Sequence, residues 1–252
     1  MNHEELKDFL DFKAAQYENP QFLSSDPIQI PHRYSKKEDI EIMALLTATI
    51  AWGNRSSIIK SSSRIAEIMG DSPHDYVLNF ADLRSGKSRF VHRTFNEDDL
   101  KFFFNALNRI YHTGGLEMAF QTHQEITGIK GRIMNFRAHM LNGQEISRTS
   151  KHLSDPSKNS AAKRLNMFLR WMVRPSAKGV DFGLWKSIQP SELYLPLDVH
   201  TGNNARKLGL LTRKQDDWKA LEEIMTSLRS FDSVDPVKYD FALFGLGAFE
   251  KF

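Results

Sequence analysis

Residues that start and end helices recur along the whole chain, whereas no segment alternates apolar and polar residues as a half-buried strand would. Asn96 precedes a helical run to Tyr111 that two glycines follow, and Ser72 with Pro73 has the order of an N-cap and first helical residue. This pattern predicts an all-α fold with short connections. The Ser-, Lys- and Asn-rich segment 154–160 is predicted to be a hinge between two helical lobes of one domain.

Other helix boundaries are predicted from single residues. Ser35 and Glu38 have the spacing of a capping box, and the apolar run that follows predicts a helix buried on all sides. A further helix is predicted from about Lys130 to Gly143. Asp216 is predicted to cap another. The Gly-Leu-Gly at 245–247 is predicted to end the last helix rather than to cradle a phosphate.

Composition excludes several classes of site. The 252 residues include no cysteine, which rules out disulfides, thiol catalysis and cysteine-ligated metal or iron–sulfur centres. None of the nine histidines has another at i+4, so neither a metal nor a cofactor is expected. Residues 1–16 lack the apolar stretch of a signal peptide, and the longest apolar run, 42–52, is too short to span a bilayer. We expect a cytoplasmic protein with no membrane segment.

Positive charge is concentrated in one part of the chain. Between Lys158 and Lys214 there are 11 Lys or Arg and only three acids, although the whole chain carries a net charge of +3. This asymmetry predicts a basic surface for an anionic partner. The alternative is a solvated helical face with no partner.

The region after residue 160 predicts an amphipathic helix with a basic ridge. Its polar face carries Lys163, Asn166, Arg170 and Arg174 at helical spacing, and the other face is apolar. Lys163 lies near the helix start, where the positive end of the helix dipole disfavours a protonated amine. A neutral lysine can act as a nucleophile, so Lys163 is a candidate catalytic residue. The alternative is an ordinary surface lysine.

A second candidate lies in the segment LPLDVHTGNNARKLGLL, residues 195–211. Asp198 follows a proline-containing turn and is predicted to begin a helix that carries His200, Arg206 and Lys207. A carboxylate at a helix start with basic residues behind it suits nucleic-acid chemistry. Asp198 can equally be an N-cap alone, and His200 a packing or hydrogen-bonding residue.

Three segments resemble the helix-hairpin-helix DNA glycosylase superfamily. LPLDVHTGNNARKLGLL is similar to its segment in which Asp-x-His opens a helix, and ALLTATIAWGNRSS (44–57) to its early core helix. KNSAAKRLNMFLRWMV (158–173) resembles the helix with the catalytic lysine in the archaeal 8-oxoguanine branch. The family's glycine hairpin is absent, since 154–162 reads SDPSKNSAA. PHRYS, IAWGNR, KRLNMFLRWMVR and LDVHTG also resemble segments of an uncharacterised bacterial family.

The resemblance implies a glycosylase with abasic-site lyase activity that acts on damaged bases, such as oxidised purines, in double-stranded DNA. It makes Lys163 the nucleophile, with Lys178 and Lys186 as alternatives, and Asp198 the carboxylate that assists it. The residues assigned to DNA contact are Trp52, Asn54, Arg55, Arg170, Arg174, His200, Arg206 and Lys207. Asn54 stands where the family more often has glutamine, at the tip that fills the gap left by a flipped base. The alternatives are a nucleic-acid-binding relative without catalysis, which the missing hairpin favours, and a helical protein whose basic face binds an acidic partner.

Overall fold

The computed structural model describes residues 1–80, 90–122, 125–142, 148–250 and 252. Within these ranges helices dominate and only four residues form a sheet, which confirms the all-α prediction. The helices are α1 (His3–Tyr17), α2 (Lys37–Thr49), α3 (Arg55–Met69), α4 (Pro73–Leu78), α5 (Glu97–His112), α6 (Leu116–Ala119), α7 (Gly128–Leu141), α8 (Lys163–Val173), α9 (Val199–Lys207), α10 (Trp218–Phe231) and α11 (Tyr239–Phe249). Strands β1 (Val91–His92) and β2 (Phe95–Asn96) form an antiparallel hairpin in which Val91 pairs with Asn96 and His92 with Phe95.

The chain forms two compact units. Unit 1 contains residues 1–24 and 156–252, with helices α1 and α8 to α11. Unit 2 contains residues 25–155, with helices α2 to α7 and the hairpin. The chain returns to unit 1 within the segment 154–160, and the role of that segment as a hinge stays a prediction. None of the helices in the described ranges has the length and apolar character needed to span a bilayer.

In unit 1, α11 packs against α1 and α9. The predicted helix end at 245–247 is wrong, because both glycines lie inside α11. A Cβ at Gly245 would overlap the ring of Tyr17 on α1, and one at Gly247 would lie 2.7 Å from Nδ2 of Asn204 on α9. The glycines therefore allow neighbouring helices to approach α11 closely, which outweighs their low helix propensity.

In unit 2, α2 is buried at every position from Asp39 to Thr49, as predicted. The predicted capping box of Ser35 and Glu38 is wrong, since Lys36 is the N-cap residue and makes no side-chain cap bond. A carboxylate in the first turn of α2 instead accepts a hydrogen bond from a neighbouring helix. Asp39 accepts a 2.7 Å hydrogen bond from the backbone N–H of His74, in the first turn of α4.

The remaining boundaries follow the predictions closely. Asn96 caps α5 with a complete capping box. The cap of α10 is Asp217 rather than Asp216, since Asp217 accepts the hydrogen bond from the Ala220 N–H, whereas Asp216 forms an ion pair with Arg206. Helix α7 ends at Leu141, and Gly143 lies outside the described residues.

Candidate functional site

In unit 1, Lys163 and Asp198 form an ion pair between the N-termini of two helices. Lys163 is the first residue of α8, and its Nζ lies 2.8 Å from Oδ2 of Asp198. Asp198 is the N-cap of α9, where its Oδ1 accepts a 2.9 Å hydrogen bond from the backbone N–H of Thr201. One carboxylate therefore does two things, since one oxygen caps the helix and the other holds the amine.

The electrostatics of the pair keep Asp198 ionised. Burial favours the neutral acid, but the adjacent Lys163 charge and the Thr201 N–H outweigh it and lower the pKa of Asp198 below its ordinary value. The Lys163 side chain is 36% exposed and that of Asp198 is 23% exposed. Both groups are thus partly shielded yet accessible to a molecule from solvent.

The turn that delivers Lys163 contains no glycine but adopts left-handed backbone twice. Asn159 has a φ of 65° and Ala162 a φ of 47°. Asparagine adopts this region readily, whereas alanine does so at a cost, so the surrounding structure must hold it. The turn is anchored on α10, where Asn159 Nδ2 donates to Asp217 at 2.8 Å and Asn159 O accepts from the Trp218 N–H at 3.0 Å.

Of the three candidate lysines, which all belong to the described residues, Lys163 is the one that contacts Asp198. Lys178 is exposed and its Nζ lies 3.2 Å from Glu18 Oε2. Lys186 is exposed and donates to the carbonyl of Gly183 at 2.7 Å. The geometry therefore separates both alternatives from the carboxylate.

The prediction that Arg170 and Arg174 contact DNA is wrong for the folded chain, because both are buried, at 4% and 3% exposure. Arg170 pairs with Asp181 and Asp240. Arg174 pairs with Asp181 at 2.6 Å and also contacts Glu18 and Asp235. We call these two arginines with Glu18, Asp181, Asp235 and Asp240 the arginine cluster.

The arginine cluster is electrostatically coupled to the candidate site through Asp240 and Asp198. Burial raises the pKa of Asp240 to about 6, the Arg170 charge opposes this rise, and the Asp198 charge adds to it. Sequence reasoning missed the cluster because its carboxylates lie outside α8, some of them more than 60 residues away. Only the burial of the polar face of α8 could have indicated the cluster, and the spacing of residues along one helix does not show whether that face is buried.

The other predicted residues of α9 have different surroundings. His200 is exposed. Arg206 is held by Asp216 at 2.6 Å and donates from Nε to the carbonyl of Arg213 at 2.8 Å. Lys207 is exposed with its Nζ 5.5 Å from the centre of the Phe252 ring. Lys207 and His200 are therefore accessible, whereas Arg206 already has a structural role.

The predicted tip in unit 2 lies between α2 and α3. Asn54 is the N-cap of α3, and its Oδ1 accepts hydrogen bonds from the N–H of Ser56 and Ser57. Arg55 is the first residue of α3 and is half-buried. Trp52 is half-buried too. Asn54 is exposed, so a partner can reach the turn even though Asn54 also caps α3.

Comparisons with known proteins identify a family but no named relative. No curated protein matches the chain, and no solved structure matches it. The described residues hold no group of three or more His, Cys, Asp or Glu side chains placed to bind a metal ion. One family model matches residues 26–249, which is most of the chain and includes both Lys163 and Asp198. The chain therefore belongs to the family described as "Protein of unknown function (DUF2400)".

Proposed function

We propose that this protein is a DNA glycosylase with abasic-site lyase activity that removes damaged bases, such as oxidised purines, from double-stranded DNA. The observation that supports it most is the 2.8 Å pair between the Lys163 amine and the Asp198 carboxylate. A primary amine beside a carboxylate is the arrangement that Schiff-base chemistry at a sugar carbon needs. The resemblance of both segments to the helix-hairpin-helix glycosylases supports the same reaction.

The ion pair is the resting state of the proposed nucleophile. Bound DNA would exclude water from the two side chains, which favours their neutral forms and lets Lys163 pass a proton to Asp198. The lone pair of Lys163 Nζ then attacks C1′ of the damaged nucleotide. The bond from C1′ to the base breaks, and the base leaves with the bonding electrons and takes up a proton.

The covalent adduct explains the lyase step. Opening of the sugar gives an iminium between Lys163 Nζ and C1′, which acidifies the C2′ hydrogen. A base removes that proton, the C3′–O bond breaks, and the 3′ phosphate leaves with the electron pair. Water then hydrolyses the imine and restores the amine of Lys163. No cofactor takes part in this sequence.

The target base must leave the duplex before this chemistry can occur. We assign filling of the resulting gap to Asn54, with Trp52 or Arg55, at the turn between α2 and α3. Lys207 and His200 are exposed on α9, the helix that Asp198 caps, where they can contact DNA phosphates.

Borohydride trapping on a duplex with one abasic site tests the proposal, because the site requires no knowledge of the damaged base. Wild-type protein should form a covalent adduct, Lys163→Gln should not, and the matched control Lys186→Gln should trap like wild type. An adduct that persists in Lys163→Gln would reassign the nucleophile. Absence of any adduct would reject lyase chemistry and leave a binding relative, or an interaction protein if DNA binding is absent as well.

A further inference from the structure

The side chain of Trp52 is held by two histidines of unit 2. The indole stacks on the ring of His152, with centroids 5.7 Å apart and planes 20° apart, and meets His92 edge-on at 5.3 Å. Nε2 of His92 lies 3.3 Å from the carbonyl oxygen of Trp52, and Nδ1 lies 2.9 Å from Ser61 Oγ. Because a carbonyl only accepts, Nε2 carries the proton and Nδ1 accepts from the serine hydroxyl.

A buried carboxylate lies beside His152, one of the two histidines that contact the Trp52 ring. Asp99 is completely buried, and its Oδ2 lies 3.3 Å from Nε2 of His152. The same residue accepts hydrogen bonds from Thr149 Oγ1 at 2.8 Å and from Arg148 at 2.5 Å. Burial lowers the pKa of His92, so that histidine stays neutral at physiological pH. The Trp52 ring is therefore packed against two histidines that have hydrogen-bond or ion-pair partners of their own.

The hairpin places an arginine directly on the turn that follows Trp52. Arg93, with a φ of 55°, lies between β1 and β2 and is exposed. A Cβ at Gly53 would lie 2.9 Å from Nη1 of Arg93, so glycine at this position lets the guanidinium lie against the backbone of the turn. Among the described residues, Arg93 has no carboxylate partner. Its charge is available to a ligand.

Two further basic residues lie close to His152, since Arg148 binds the carboxylate beside it and Lys151 precedes it in the chain. Arg148 retains 48% exposure of its side chain although it pairs with Asp99, and Lys151 is exposed. Asp98, in the first turn of α5, is an exposed acid. A half-buried indole next to an accessible guanidinium group matches the chemistry of a nucleobase and its phosphate, because aromatic rings stack on bases and arginine binds phosphate oxygens.

We propose that Trp52 and Arg93 form a binding subsite for an unpaired nucleotide of DNA, with the base stacked on Trp52 and its phosphate bound by Arg93. This inference rests on the proposed function only in taking DNA as the partner, and it leaves filling of the gap to Asn54 with Arg55. It places a DNA contact at the hairpin of unit 2, which no sequence pattern had indicated, and it requires no chemistry at Lys163.

Tryptophan fluorescence can report on this subsite alone. Of the four tryptophans, Trp171, Trp185 and Trp218 are fully buried, and Trp52 is the one with exposed surface. The titration would use the full chain carrying Lys163→Gln, so that catalysis plays no part. A 20-base-pair duplex with one bulged adenine should quench the fluorescence more than a fully paired duplex. In Trp52→Phe this quenching should disappear, and Trp52→Leu should weaken binding to the bulged duplex about 10-fold, as loss of one base stack predicts.

The role of Arg93 is tested by the salt dependence of binding, measured by fluorescence anisotropy. Loss of one phosphate contact should reduce the slope of log K against log salt by about 0.9 in Arg93→Gln. The control Arg64→Gln removes another exposed arginine of unit 2, on α3, and should leave the slope unchanged.

Two results would overturn the subsite: bound DNA that leaves the fluorescence unchanged, or equal slopes for Arg93→Gln and Arg64→Gln. Failure of borohydride trapping with the quenching intact would instead reject the proposed reaction and leave the subsite standing.

Discussion

Two pairs of arginines show how differently the two units use positive charge. Arg170 and Arg174 of unit 1 are buried against four carboxylates and the ring of Phe241, with guanidinium carbons 4.5 and 5.3 Å from its centroid. Arg93 and Arg148 of unit 2 remain exposed. A local count of basic residues predicts a basic surface in unit 1, yet part of that charge is neutralised internally. Location, not number, decides which arginines can bind a partner.

The largest expected effect separates these pairs by stability. Arg174→Met removes one charge and leaves Glu18, Asp181 and Asp235 without it. We expect a loss of about 3–5 kcal/mol in the free energy of unfolding, because removal of one partner leaves buried charges uncompensated. Urea denaturation followed by circular dichroism measures it.

The matched variant in unit 2 is Arg93→Met, which removes an exposed charge of the same kind. Its effect on the free energy of unfolding should stay within about 0.5 kcal/mol. Equal losses in the two variants would show that the arginine cluster adds no more to stability than a surface residue.

Local patterns predicted the helices well because capping and periodicity act over a few residues. Asn96 and Asp198 both cap the helices that were expected of them, and the apolar run of α2 is buried as expected. The prediction for Gly245 failed for a different reason. Whether a glycine ends a helix or admits a neighbouring ring depends on Tyr17, more than 220 residues away.

The candidate site was predictable where one residue has one local role. Lys163 and Asp198 each lie at a helix start, and the sequence indicates both helix starts. Their contact, the burial of Arg170 by Asp240, and the position of Arg93 on Gly53 depend on tertiary packing. Long-range ion pairs have no periodic signal, so the spacing of the polar residues in α8 alone predicts a solvent-facing ridge.

A pH-dependent effect tests how fully the arginine cluster is neutralised. Burial raises the pKa of Asp240 to about 6, from an ordinary value of 3.8. The folded state therefore retains a proton that the unfolded state has lost between these two values. The stability that Asp240 contributes is present below pH 3.8 and is lost as the pH rises through 6.

Asp240→Asn removes this titration but keeps a side chain of similar size. The free energy of unfolding of wild type minus that of the variant should fall between pH 4 and pH 7 and then level off. Urea unfolding of both proteins at pH 4.5, 5.5, 6.5 and 7.5 measures this difference, in which titrating groups that are not coupled to Asp240 cancel. Parallel curves would mean that Arg170 fully compensates the Asp240 charge.

A small change in stability is also expected for Asp198→Asn, which compares the partly exposed ion pair with the buried cluster of the same unit. Asparagine can still accept the Thr201 N–H, and the lost pair joins side chains that are 36% and 23% exposed. We expect a loss of roughly 1 kcal/mol or less. Under the proposed function the same variant should no longer excise a damaged base, as assayed on duplexes that each contain one oxidised purine. A loss of several kcal/mol would make the pair a structural link between α8 and α9. Excision at the wild-type rate would leave Asp198 a helix cap, because a carboxylate that assists Lys163 cannot be replaced by an amide that accepts no proton.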